Sequence, residues 1–249
     1  LGYNSYVVSA LLPLFEHAGL AGRLEELRKP AEIAENLMLG PSALRFVDGK
    51  LPTPADSTGI SHKWPELGIL TAARRVFPTA LGLRAAAGQH NWDTLLDPPE
   101  APAQEPVMPQ VESRSLESSR MAVLREGPWQ VYFHYGQLDR SHAQAEALQW
   151  EAYYGTTDIS HDAGTVGYGS PLHRGFYQTG AAHNVPFIDG LAQEGWAPGE
   201  LLSFLRTAVA ARQPAYRKGV TAERGLKIEN GALIDTVKIS AADGQMHRL

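Results

Sequence analysis

The chain has 249 residues, a formal net charge of −5, 43% hydrophobic residues and five tryptophans, which excludes a disordered or collagen-like chain. That length buries one large core or two modest ones, and no stretch reaches the roughly 18–20 apolar residues of a membrane span. The absence of cysteine excludes disulfides, Cys-ligated zinc and thiol catalysis, and a pI near 6.0 lacks the basic footprint of a nucleic-acid binder.

From Ser5 to His17 apolar residues recur at helical spacing, with Gly19 as a stop and Pro13 as a kink or an earlier end. Arg23 to Leu39 repeats the pattern, with Pro30 near a first turn and Gly40-Pro41 as the end. Leu67 to Val76 and Thr79 to Ala87 predict two shorter helices separated by Pro78. Four helical pieces on short loops suggest helical hairpins rather than a parallel α/β sheet.

The character changes after Asp97. PPEAPAQEPVMP places five prolines in twelve residues, the composition of a linker. Beyond it SRMAVLREG, WQVYFHYG, ALQWEAYYG and ALIDTVKIS read as strands bounded by turns. Leu201 to Arg212, opened by Pro198-Gly199, reads as a helical interruption. The fold class that follows is α+β: a helical part up to about residue 98, then antiparallel β-structure from about residue 110.

Five of the nine histidines (His134, His142, His161, His173 and His183) fall within fifty residues, among Asp139, Arg140, Glu146, Asp162 and Tyr168. Such a cluster of titratable groups marks a candidate site, the bland alternative being a solvated sheet face. From Ser141 to Glu146 polar residues alternate with alanine, so a strand there places His142, Gln144 and Glu146 on one face. By the same alternation His161 and Asp162 point to opposite faces, and only one of them joins the site.

These residues carry a resemblance. The motifs are His142-Ala-Gln144-Ala-Glu146, Asp162-Ala-Gly164-Thr-Val-Gly-Tyr168-Gly169, Thr179-Gly-Ala-Ala-His183-Asn184 and Asp189-Gly190. In order and spacing they resemble the heparinase II/III-like polysaccharide lyases, which include alginate lyases. LPTPADSTG, from Leu51 to Gly59, is similar to a Gly-Asp-Ser loop of that family, and Gly2 to Phe15 to a helix bearing a catalytic tyrosine. The resemblance implies an incomplete (α/α) toroid over residues 1–105, then an antiparallel β-sandwich over 106–249. It also implies that the chain is truncated at both ends, without the upstream Asn-His pair that binds a uronate carboxylate. Its location is then the periplasm or outside the cell, with the signal segment not in this chain.

The activity implied is β-elimination on an acidic polysaccharide or oligosaccharide containing uronic acid, with no nucleic-acid or membrane partner. That chemistry needs charge dispersal at the carboxylate, a base for the adjacent proton and an acid for the leaving oxygen. By family position His142 and Tyr6 are catalytic, with Tyr3 one helical register away. Tyr3, Arg140, Gln144 and Tyr168 are expected to touch substrate. No cofactor is required. Zinc-binding relatives use a second His, an Asp and a His, positions held here by Gln144, Asp162 and His183. A structural zinc would then rest on Asp162 and His183 alone, a weak pair. Two rivals stand beside the lyase. One is a non-catalytic glycan-binding or structural fragment, kept alive by Gln144. The other is a cupin-like metal enzyme suggested by Gly136, His142 and Gln144, against which the helical stretch counts.

Overall fold

The computed structural model describes residues 2–57, 63–137, 142–242 and 244–249, in two units. One comprises Leu1–Arg45 and Lys63–Gln110, the other Phe46–His62 and Val111–Leu249, so the described part of 46–62 belongs with the second. None of the described helices is long and apolar enough to cross a membrane.

The first unit is helical. Helix α1 (Gly2–Leu20) buries Val8, Leu12 and Phe15, spaced four and three apart, and α2 (Arg28–Leu39) answers with Ala31, Ala34 and Met38. Asn4 Nδ2 donates to the Leu37 carbonyl at 3.0 Å, tying the helices at the polar edge of that contact. Pro13 lies inside α1 rather than ending it. The Pro13 carbonyl accepts from His17 Nδ1 at 2.6 Å, and Phe15 packs edge-on against Phe77 with ring centroids 5.7 Å apart. Truncating a buried phenylalanine such as Phe15 to alanine costs about 3–5 kcal/mol.

Helices α3 (Leu67–Ala72) and α4 (Ala80–Ala87) cross at Gly82, where a Cβ would lie 2.3 Å from the Leu70 carbonyl oxygen. The Thr79 hydroxyl caps α4 by accepting from Gly82 N–H at 3.0 Å. Helix α5 (Trp92–Leu96) starts in a reciprocal Asn91–Thr94 capping box. Asp93 and Asp97 of this region hold Arg74, whose side chain is buried, and Arg75.

The second unit has two antiparallel meanders. The first runs β1 (Arg114–Leu116), β2 (Met121–Glu126), β3 (Trp129–His134), β4 (Gln149–Tyr154) and β5 (Thr157–Ser160). The second runs β6 (Glu200–Leu205), β7 (Ala208–Arg217), β8 (Val220–Glu229) and β9 (Ala232–Ala241). Leu201 to Arg212 is thus a hairpin and not the expected helix. Its apolar residues gain burial by joining one core: Leu201, Phe204, Val209 and Ala211 pack with Leu124, Val131 and Phe133 of the first sheet. Pairing overrides a helical-looking spacing in so short a run. Asn230 and Gly231, both with positive φ, turn β8 into β9.

Strand β3 is buried on both faces. Val131 and Phe133 enter that core, while Tyr132 and His134 point the other way and are equally enclosed. Tyr132 pairs across the ladder with Glu151 and His134 with Gln149, so a polar but buried face is built into the first sheet. The loop from β3 to β4, the long connection from β5 to β6, and residues 46–57 supply the remaining polar groups.

Candidate functional site

His142 is not on a strand. It has φ 61°, in the left-handed region, and the chain from 142 to 148 is irregular. The expected sharing of one face by His142, Gln144 and Glu146 therefore fails. Gln144 and Glu146 are fully enclosed, whereas the His142 side chain is 43% exposed. Ala143, Ala145 and Ala147 are buried too, because this segment packs under other loops instead of presenting alternating faces.

At the surface of the second unit His142 meets Asp56 and Tyr168. Its Nδ1 lies 2.5 Å from Asp56 Oδ2 and 2.9 Å from the Tyr168 hydroxyl, and that hydroxyl also donates to Asp56 Oδ2. Asp56 N–H donates to the His142 carbonyl at 3.2 Å, fastening the two loops along the backbone. The Tyr168 ring stands edge-on to His173, whose Nδ1 bonds the Thr165 hydroxyl at 2.8 Å.

Beneath lies a closed cluster. His183 Nδ1 sits 2.8 Å from Asp162 Oδ2, and its Nε2 faces the Tyr177 carbonyl at 3.1 Å. A carbonyl only accepts, so Nε2 carries a proton and a second proton is shared between Nδ1 and the carboxyl. Glu146 accepts Ala55 N–H on its two oxygens at 2.8 and 3.0 Å, and Glu151 accepts Thr53 N–H at 3.0 Å.

Burial pushes the Asp162 carboxyl up, the His183 bond opposes this and the Glu146 charge adds to it. Burial works against a charged His183, but its bond to Asp162 and the nearby negative charges outweigh it, so its pKa is raised. Burial and then the Asp162 charge drive Glu151 well above the ordinary range, and burial with all three carboxylates does the same to the Tyr132 hydroxyl. Asp162, His183, Glu151 and Tyr132 all hold on to protons.

Glu146, Asp162 and His183 bring ligand atoms within 4.8 Å of one another, a third potential ligand beyond the expected pair. The set does not match a tetrahedral structural zinc site, whose four donors are mostly Cys sulfur and His nitrogen. Among the described residues the set itself offers one imidazole, with the buried His134 Nδ1 3.3 Å from Glu146 Oε1 beside it. His183 Nδ1 shares a proton with Asp162, Asp162 Oδ1 accepts Gly164 N–H at 2.5 Å, and Glu146 is bonded to Ala55. The donor atoms of Glu146, Asp162 and His183 are thus already engaged.

Among the expected site residues, Tyr168 is brought to His142. Gln144 is fully buried and so not available to a substrate: its Nε2 donates to the Gly164 carbonyl at 3.3 Å, and its backbone carbonyl accepts from Gln137 Nε2 at 3.0 Å. Asp162 and His183 are joined, and His161 is exposed beside Asp158, as the alternation argument requires. Arg140 lies outside the described residues. Tyr3 and Tyr6 are exposed on α1 of the first unit with ring centroids 6.5 Å apart.

Two further features explain motif residues. Asn184 clamps β4, accepting Trp150 N–H at 3.0 Å and donating to its carbonyl at 2.6 Å. Gly136 is required because a Cβ would sit 1.9 Å from the Pro198 carbonyl oxygen, a packing reason that removes the support for a cupin. Asp56 and Glu151 had no assigned part in the sequence. The Leu51–Gly59 loop was the signal for Asp56, and nothing local marks Glu151 within an ordinary strand.

The model of the heparinase II/III-like C-terminal family matches residues 108–237. A heparinase III, the BT4657 gene product, superposes with a TM-score of 0.74 at 16% identity, over 96% of this chain and 37% of that one. The heparan sulfate lyase HepC from Pedobacter heparinus gives 0.64 at 17%, over 94% of this chain and 37% of that one. The chain spans little more than a third of these solved structures, and at such identities the likeness shows the fold alone. No curated protein matches in sequence.

Proposed function

Because the chain belongs to the heparinase II/III-like C-terminal family, we propose that it is part of a polysaccharide lyase acting by β-elimination on a uronate-containing acidic polysaccharide. The observation that carries this reading is the exposed His142 imidazole, held at one nitrogen by Asp56 and Tyr168 above a closed, buried cluster. In this reading the helical unit is part of an (α/α) toroid and the two sheets are the start of a β-sandwich.

His142 removes the proton on the carbon next to the uronate carboxylate. The electron pair forms the ring double bond, the bond to the glycosidic oxygen breaks, and Tyr6 gives that oxygen its proton. Tyr168 and Arg140 hold the sugar. Glycosaminoglycans are the first substrates to test, alginate the second. The experiment is ultraviolet detection of unsaturated uronate with the full-length protein on heparan sulfate, hyaluronan and alginate. Product from one of them, lost in His142→Ala, supports the reading. No product from any substrate, with bound oligosaccharide detected instead, replaces it by the glycan-binding reading.

A further inference from the structure

The partners of His142 determine more than its place. We propose that Asp56 is the positioning residue of His142: its carboxylate holds the imidazole in one orientation, in the tautomer with the proton on Nδ1. This rests on the lyase reading for its chemistry, but not for its geometry.

The argument is a count of hydrogens. Asp56 Oδ2, His142 Nδ1 and the Tyr168 hydroxyl are in mutual contact, and the hydroxyl donates to the carboxylate. An ionised carboxylate accepts and never donates, and the single hydroxyl proton is committed to it. An unprotonated Nδ1 would then put two acceptors 2.5 Å apart. Nδ1 must therefore carry hydrogen.

Exposure supports the division of labour. The Asp56 side chain is 10% exposed and that of His142 43%, so the carboxylate is withdrawn while the imidazole faces outward. Asp56 is in turn anchored from below. Ala55 N–H bonds the buried Glu146, Thr53 N–H bonds the buried Glu151, and the Thr53 hydroxyl bonds the Asp162 carbonyl at 3.1 Å. Ala55 and His142 both have φ 61°, the left-handed region that non-glycine residues rarely adopt. Strained backbone on both sides of one contact, bolted to a rigid polar floor, is how a catalytic side chain is held in one orientation.

The test pairs a spectroscopic reading with a kinetic one. In protein labelled with ¹⁵N-histidine, the ring resonances of His142 should show Nδ1–H at neutral pH, and Asp56→Asn, whose amide can donate to Nδ1, should move it towards Nε2–H. In the full-length lyase Asp56→Asn should lower kcat about 10²-fold or more, as losing the histidine-orienting carboxylate does in hydrolase triads. KM should stay within a few-fold, and Asp56→Glu should recover part of the rate. If His142→Ala is inactive while Asp56→Asn keeps both kcat and the Nδ1–H tautomer, Asp56 is only a loop staple and the proposal is overturned. If the wild-type protein makes no unsaturated product, the lyase reading fails and the tautomer shift still decides the role of Asp56. Should Asp56→Asn not fold, the wild-type tautomer decides alone: Nε2–H as the main form overturns the proposal.

Discussion

Asp162 Oδ2 and His183 Nδ1 lie 2.8 Å apart with neither side chain exposed to solvent, joining the connection that follows β5 to a segment twenty-one residues on. Removing one partner leaves the other polar and buried without compensation, which costs about 3–5 kcal/mol. His183→Ala should therefore lower the unfolding free energy by about that amount in urea denaturation. A change below about 1 kcal/mol would show that water replaces the imidazole at little cost.

Zinc should not be held here. The donor atoms of Glu146, Asp162 and His183 are already bonded within the protein, and a metal would have to displace the proton between Asp162 and His183. Metal analysis after dialysis should find well under one equivalent of zinc, and chelation should leave the melting temperature unchanged. Stoichiometric zinc surviving dialysis contradicts this.

The buried carboxyls give stability a pH dependence. Burial, then the charge of Asp162, raises Glu151 above its ordinary value of 4.5. A folded-state pKa above the unfolded one contributes stability that is complete below the unfolded pKa and lost as pH rises through the folded value. His183 is also raised, which adds a loss of the same sign as pH climbs above 6.5. The melting temperature should fall between pH 5 and pH 8, and Glu151→Gln should flatten that fall while keeping an oxygen for Thr53 N–H. An unchanged slope in the variant would show that other groups set it.

Two tyrosines share the exposed start of α1, and only one hydroxyl is assigned to chemistry. On the proposed lyase reading, Tyr6→Phe in the full-length protein should reduce kcat by about 10²–10⁴-fold, the range for losing a general acid or base, while Tyr3→Phe keeps it. The reverse pattern moves the role to Tyr3, one turn back along the helix.

Gly136→Ala tests packing in the second unit. The added methyl would meet the Pro198 carbonyl oxygen at 1.9 Å, a backbone atom that cannot swing aside. A loss of about 3 kcal/mol is expected in chemical denaturation, the upper range for overpacking. A neutral result would mean that the 198–199 segment shifts freely.

The sequence alone determined the change from helix to antiparallel strand and the strands β2, β3, β4 and β9, because periodicity reports which face of an element meets a core. It also determined the motif order that places this chain in its family. It could not determine the β6–β7 hairpin, where alanines and leucines satisfy either spacing and only pairing with β8 decides. Nor could it place Gln144 and Glu146, since the alternation of Ser141 to Glu146 suggests a strand while the tertiary structure folds that segment into a buried loop. Asp56 met His142 only in the folded chain, 86 residues apart in sequence. Local pattern records the backbone's own preferences. Which polar groups share a buried space is settled by long-range loop packing, where each buried donor or acceptor must find a partner that no neighbour in sequence supplies.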